Sequence, residues 1–302
     1  MKPLVSVVIP TYNRAPDLRR SIGSVRAQTW DRWELLVVDK HSTDDTDQVI
    51  ADFNDPRIRL LKVQNEGVIG ASRNVGISTA TGEYVALLDS DDWWTSRKLE
   101  LSVQALEAGA DVVYHDLLLA YSPAQRIHWS RARTRRLASP VLEDLIQNGN
   151  ALNNSSVVVR RTLLEGIGGF SEERGLISWE DYDLWLRLAG VTERFHRLDD
   201  ALGYYWVGGG NVSTPLRTIR NLEQIRNRYI APRPGHESRA MPAWYHYALG
   251  RAHYHLREHS IALAHMREAL RGKLPWRKRL KAILTMAAST SKAMSGRAQP
   301  QK

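Results

Sequence analysis

The chain has 302 residues, a net charge of +9 and 43% hydrophobic residues, enough for one large domain with an appendage or for two modest ones. It contains no cysteine, which excludes disulfides, thiolate metal sites and cysteine nucleophiles. No apolar run reaches the roughly 18 residues of a membrane-spanning helix, and "LVSVVI" is cut off by Pro10 before it could serve as a signal-peptide core, so a cytoplasmic protein is expected.

The first hundred residues alternate between two hydrophobic periods. "LVSVVIP" is a short run rich in Val and Ile, suited to a buried strand. In "APDLRRSIGSVRAQT", Leu18, Ile22 and Val25 share one helical face. "WELLVVD" is a second strand ending at Asp39, and "STDDTDQVIADF" a helix with Ser42 and Thr43 as start residues. "RIRLLKV", "GASRNVGISTA" and "YVALLD" continue as strand, helix and strand. This order predicts an α/β fold, a mostly parallel sheet with helices on its faces. Ligands of such sheets sit beyond the carboxyl ends of the strands. Thr11 to Arg14, Asp39 and Asp89 to Asp92 all follow strand ends and can converge there.

Further on, "DVVYHD" and "NNSSVVVRR" read as strands, and "EDYDLWLRLA" as a helix with Tyr182, Trp185 and Leu186 on one side. "GYYWVGGGNVS" is a strand running into a glycine loop. Pro232 to Gly235 is the best linker candidate. Beyond it the pattern is helical: a hairpin over 236–272 has small residues at Gly250, Ala262 and Ala269, as a tetratricopeptide-type hairpin or an ordinary helical pair would. The tail, 273–302, is basic and amphipathic, with Trp276, Leu280, Ile283, Leu284 and Ala287 along one face. It can lie on anionic lipid or pack on the hairpin.

Four constellations carry candidate chemistry. "DSDD", Asp89 to Asp92, packs three carboxylates at a strand end, where they can hold Mg²⁺ or Mn²⁺ or cap the next helix through Asp91 or Asp92. Asp39 can accept hydrogen bonds from a base or ribose, or serve the helix start behind it. Gly67 and Gly70 precede Arg73 at a helix start, a place suited to phosphate or to an ion pair. In "SWEDYDLW", Glu180 and Asp181 lie between Trp179 and Tyr182, whose rings desolvate a carboxylate and raise its proton affinity. That suits a general base, and the same residues suit an acidic helix N-terminus.

Taken together and in order, "VSVVIPTYNR", "LLVVDKHSTDDT", "NEGVIGASRNVGI", "TGEYVALLDSDDWW", "IGGF" and "EDYDLWLRL" resemble a family 2 glycosyltransferase over roughly residues 3 to 215. The resemblance implies a Rossmann-like GT-A domain over 1–230, with a nucleotide-sugar-binding half, 1–100, and an acceptor half, 101–230, followed by the C-terminal helical extension. It implies that Pro10, Thr11, Tyr12, Arg14, Asp39, Arg73, Asp89 and Ser90 bind the nucleotide sugar. Asp91 and Asp89 would hold Mn²⁺ or Mg²⁺, and Asp181 would be the general base with Glu180 beside it. The expected activity is inverting transfer from a nucleoside diphosphate sugar to a hydroxyl of a sugar, glycolipid or polysaccharide acceptor. Bacterial surface-glycan synthesis is the expected setting, with contact at the inner membrane face through the tail and no nucleic-acid partner. An inactive sugar-binding homologue and a nucleotidyltransferase are the alternatives. Two segments depart from the family pattern: Lys40 and His41 replace the Asp and Gly that often follow the second strand, and Gly208 to Gly210 stand where a His is often found.

Overall fold

The computed structural model describes residues 2–122, 125, 127–208, 213–231 and 240–295. The chain divides into two compact units, residues 1–141, 151–174 and 180–210 in the first and 142–150, 175–179 and 211–302 in the second.

The first unit opens with β1 (Val5–Thr11), α1 (Ala15–Arg26), β2 (Trp33–Asp39), α2 (Thr46–Phe53), β3 (Ile58–Lys62), α3 (Ile69–Thr79) and β4 (Tyr84–Leu87). The four strands are parallel and ordered β3-β2-β1-β4. Every residue of β1 is buried, as expected for a strand covered on both faces. Leu18, Ile22 and Val25 of α1 are fully buried in the core with Val7, Ile9, Leu35 and Val37. In register, Thr11 lies beside Asp39 and Asp39 beside Lys62, so the loops leaving these strands share one sheet edge.

After β4 come β5 (Trp93–Trp94), α4 (Lys98–Glu107), β6 (Val112–Ala120), β7 (Arg131–Ala132), α5 (Val141–Asn148), β8 (Val158–Arg160), α6 (Arg161–Gly166), α7 (Glu180–Ala189) and β9 (Phe195–Trp206). Apart from its first residue, α5 belongs to the second unit. The sheet continues β4-β8-β6-β9-β5, with β7 against β6. Here β8 is antiparallel to both neighbours and β6 is parallel to β9, so the sheet is parallel in its first half and mixed in its second. The α/β fold with a C-terminal helical region is as expected. Two local readings change. The acidic run does not cap a helix: a two-residue strand intervenes and α4 starts at Lys98, behind Arg97. Likewise α2 starts at Thr46, not at Ser42 or Thr43.

One core side chain breaks the usual rule. Lys98 is fully buried, its Nζ 3.8 Å from the centre of the Trp94 ring and without a hydrogen-bond partner among the described residues. Burial holds its pKa well below the usual lysine value. Lys98→Met is therefore expected to raise the free energy of unfolding by about 1–3 kcal/mol, read by denaturant titration. Because the folded pKa is depressed, the wild type should also gain stability as pH rises towards 10.5, and the variant should not.

The second unit contains α8 (Pro215–Ile225), α9 (Ala243–His255), α10 (His259–Arg271) and α11 (Trp276–Ser295). Trp244 donates through Nε1 to the Ile146 carbonyl at 2.8 Å, tying α5 to α9. Ala262 and Ala269 are fully buried, and Gly250 faces Met266, so α9 and α10 cross at small residues. Among the described side chains of α11, Ala282, Thr285 and Ser289 are buried, while Trp276, Leu280, Ile283 and Leu284 are exposed. The helix is thus packed by its small residues and leaves the apolar stripe uncovered. No helix among the described residues is long and apolar enough to cross a membrane. Pro232 to Gly235, Gly209, Gly210 and the last seven residues of the tail lie outside the described residues.

Candidate active site

The site lies in the first unit, and it starts with two cross-linked loops. Asn13 follows β1 with a positive φ of 50°, and His41 follows β2 with 51°. Asn13 N donates to Ser42 Oγ at 2.8 Å, and Thr43 N donates to Asn13 Oδ1 at 2.8 Å. Asp44 accepts from Ala15 N at the start of α1 (2.8 Å) and from Thr46 N at the start of α2 (3.2 Å). The polar residues of "TYNR" and "HSTDD" therefore fix the loops to each other and satisfy helix-start donors. Asp39 is fully buried, held by Ser42 through its hydroxyl and backbone N and by Lys62 Nζ at 2.8 Å. Of the two tasks open to Asp39 from the sequence, these contacts belong to the second: the carboxylate anchors the loop behind it. Pro10 and Thr11 are buried at the strand end, whereas Tyr12 is exposed with Lys40 Nζ 4.7 Å from its ring centre.

The acidic turn is held by its backbone. Arg20 of α1 donates to the Asp91 carbonyl at 2.8 Å, and Ser21 Oγ donates to the carbonyls of Ser90 and Asp92. Asp89 N donates to Ser155 Oγ at 3.1 Å. These grips leave the carboxylates with three different fates. Asp92 is buried and accepts from Trp206 N at 2.8 Å, so it ties the turn to β9. Asp89 Oδ1 accepts from Arg73 at 2.8 Å and from Asn154 at 2.9 Å. Asp91 is only partly buried, with Arg14 at 3.9 Å as its nearest cation. Its pKa is pushed up to about 6 by burial and by the neighbouring Asp89 charge.

Arg73 joins distant motifs. It is 4% exposed and donates through one arm to Asp89 and through the other to Glu180 Oε1 at 2.7 Å. Of the two readings open from the sequence, phosphate or an ion pair, the structure shows the ion pair, with each arm on a carboxylate. Its helix reaches them because a Cβ on Gly70 would lie 2.6 Å from the Ser171 carbonyl oxygen, so only glycine permits the approach. Asn74, one residue on, clamps Phe170 by its backbone N (2.7 Å) and O (2.9 Å). Thus "GASRN" and "IGGF" are the two halves of one joint.

Asp181 stands at the start of α7 and accepts from Tyr182 N at 2.6 Å. Burial and the Glu180 charge push its pKa up to about 7, against the pull of Arg73. Tyr205 of β9 belongs to the same field: burial and the charges of Asp92, Asp89, Asp91 and Asp181 push its phenol up to about 12. The structure therefore brings together Arg14, Arg73, Asp89, Ser90, Asp91, Glu180 and Asp181 beyond the sheet edge. Arg20, Ser21, Asn154, Ser155 and Tyr205 were not singled out from sequence. Only Arg20 and Ser21, polar residues beside the apolar face of α1, carried any signal there.

The donor set suits a hard divalent cation, which takes carboxylate oxygens. Among the described residues no cluster of three or more ligating side chains forms a complete cage. One or two carboxylates completed by substrate phosphates is the usual arrangement for Mg²⁺, and Asp91 fits it.

The sequence model of "Glycosyl transferase family 2" matches residues 6–162, which hold β1 through β8 and the acidic turn. The chain is 31% identical over 187 residues to the UDP-Glc:alpha-D-GlcNAc-diphosphoundecaprenol beta-1,3-glucosyltransferase WfgD of Escherichia coli, covering 61% of this chain and 69% of that one. Its fold is similar to that of S. aureus TarS 1-349 in complex with UDP, with a TM-score of 0.59 and 20% identity over 99% of this chain and 93% of the other. It is also similar to the mannosyltransferase PcManGT of Pyrobaculum calidifontis in complex with GDP-Man and Mn2+, with a TM-score of 0.52 and 18% identity over 100% and 77%. With the matched region spanning the strand-end loops and the turn they surround, the chain belongs to glycosyl transferase family 2.

Proposed function

We propose that the chain transfers a sugar, with inversion, from a nucleoside diphosphate sugar to an acceptor hydroxyl in bacterial polysaccharide or glycolipid synthesis. The observation that carries this reading is Asp181, a half-buried carboxyl whose pKa is raised to about 7 in the same charged cluster as Asp91. A group poised near neutral pH takes a proton efficiently. Asp181 would receive the acceptor's hydroxyl proton as that oxygen attacks the anomeric carbon and the bond to the diphosphate breaks. One displacement inverts the centre. Arg73 and Glu180 would hold Asp181 ionisable near neutrality, and Tyr12 and Arg14 would face the nucleotide. Ser90 and the anchored loop after Asp39 would complete its pocket.

Asp91, with Asp89, would hold Mn²⁺ or Mg²⁺, which when bound stabilises charge on the departing diphosphate. The Mn2+ in the PcManGT complex supports this assignment. WfgD's name supports a lipid-linked acceptor, and the uncovered apolar stripe of α11, flanked by Arg277, Lys278, Arg279 and Lys281, supports a membrane-surface contact of the tail. Family membership disfavours a nucleotidyltransferase, which would give Asp181 no role.

Thermal unfolding against UDP-, GDP-, dTDP- and CDP-sugars, with and without Mn²⁺, tests the donor site. One nucleotide class should stabilise by about 2.7 kcal/mol at about 100 times its Kd. The metal-dependent part should vanish in Asp91→Ala. No shift with any nucleotide sugar would overturn the reading.

A further inference from the structure

The first unit carries an exposed apolar surface of its own, between β6 and β7. Side chains build its shape. Gln125 Oε1 accepts from Tyr121 N at 2.8 Å, and Gln125 Nε2 donates to the Ile127 carbonyl at 2.8 Å. His128 Nδ1 lies 3.0 Å from the Leu119 carbonyl oxygen. The His128 ring packs 4.8 Å from Tyr204, which stacks on Trp93 at 4.9 Å. With His128 turned onto the sheet, its neighbours Ile127 and Trp129 are left outside, Trp129 at 89% exposure, beside an exposed Tyr121. This presentation is held in place by hydrogen bonds and a ring stack, so the exposure is a feature of the folded hairpin.

Charge of one sign follows directly. Residues 131–136 contain Arg131, Arg133, Arg135 and Arg136, and no acidic residue occurs between Asp116 and Glu143. Arg133 is exposed and makes no ion pair among the described residues, while the exposed Arg131 and Arg136 reach Asp116 at 3.8 Å and Asp199 at 3.0 Å. A protein interface depletes charge at its core, and a sugar subsite is concave. A protruding Trp, Ile and Tyr flanked by arginines has the composition of a bilayer interface element, with rings at headgroup depth and cations over anionic lipid.

We propose that this hairpin docks the first unit on an anionic bilayer surface. Tyr121, Ile127 and Trp129 enter the headgroup region, and Arg133 and Arg136 lie over the lipid phosphates. The contact is independent of the one proposed for α11.

Co-sedimentation of the full chain with phosphatidylglycerol–phosphatidylcholine vesicles tests it, with pure phosphatidylcholine vesicles alongside. Three variants are compared: I127S/W129S, R133Q/R136Q and L280S/L284S. Each arginine near the surface is worth about fivefold in partition at low salt, so R133Q/R136Q should weaken binding to the anionic vesicles by about 30-fold. I127S/W129S should weaken it by about tenfold or more. Both losses should persist in the L280S/L284S background. The thermal shift given by the donor nucleotide should stay unchanged in all three, which reports an intact fold and keeps the donor-site reading separate. Hairpin variants that bind like the wild type would overturn the proposal. So would wild-type binding that is equal on the two vesicle types. Light scattering that shows a dimer dissociated by I127S/W129S would reassign the surface to a protein contact.

Discussion

Asp181→Asn is expected to lower kcat by about 10²- to 10⁴-fold, the range for loss of a general base, with the donor-induced thermal shift retained. The pH profile gives the sharper readout. A base must be ionised to accept a proton. The wild-type rate should therefore fall about tenfold per unit as pH drops below about 7, the value to which burial and Glu180 raise Asp181. Glu180→Gln removes the adjacent negative charge and frees Arg73 to favour ionised Asp181, so the inflection should move to lower pH. Full turnover in Asp181→Asn would instead overturn the assignment of Asp181 as the base, and no turnover in the wild type would identify an inactive homologue. Stability should move the other way. A carboxyl whose folded pKa lies above its unfolded 3.8 contributes instability as pH rises from about 4 to 7. The Asn variant should consequently be the more stable protein above pH 7 and gain nothing below pH 4, a difference read from melting curves at the two pH values. An enzyme holding a base near neutrality in a half-buried site gives up stability there.

Arg73→Met should be the most damaging substitution for the fold around the site. The guanidinium is buried between Asp89 and Glu180, and Glu180 is itself buried. Replacing it leaves carboxylates without their cation, a loss of about 3–5 kcal/mol. Chemical denaturation should show the deficit at neutral pH and a smaller one in acid, where the orphaned carboxylates protonate. Adding Asp89→Asn and Glu180→Gln should recover most of the stability without recovering activity. If Arg73→Met alone costs under about 1 kcal/mol, the bridge is not a structural keystone and its role lies with the ligand.

The helices and strands of the first half were legible because each has a clean period. Leu18, Ile22 and Val25 repeat on the helical turn, and the runs around Val7, Val37 and Ala86 are apolar throughout because both faces of those strands are covered. The α7 helix was legible too, but not as one apolar side: Asp183 and Leu184 are buried along with Tyr182, Trp185 and Leu186. The later strands were read less fully. β5 has two residues, and β8 reverses direction between β4 and β6, so neither its length nor its pairing leaves a local pattern.

The candidate site divides along the same line. Sequence alone determined that Thr11 to Arg14, Asp39 and Asp89 to Asp92 follow strand ends and that Arg73 stands at a helix start, because such positions are local properties. It could not assign a task to each carboxylate, since that depends on partners far along the chain. Asp89, Asp91 and Asp92 are near neighbours in sequence. One meets Arg73 and Asn154, one stays partly open beside Arg14, and one is fixed to the backbone of Trp206. Asp39 and Arg73 follow the same logic: their partners, Lys62 and Ser42 for one and Asp89 and Glu180 for the other, are set by the fold and leave no local pattern. In the tail, helical spacing determined that an apolar stripe exists. Only tertiary packing decided that Ala282, Thr285 and Ser289 are buried while the stripe itself stays exposed, because small side chains let helices approach closely and large ones do not.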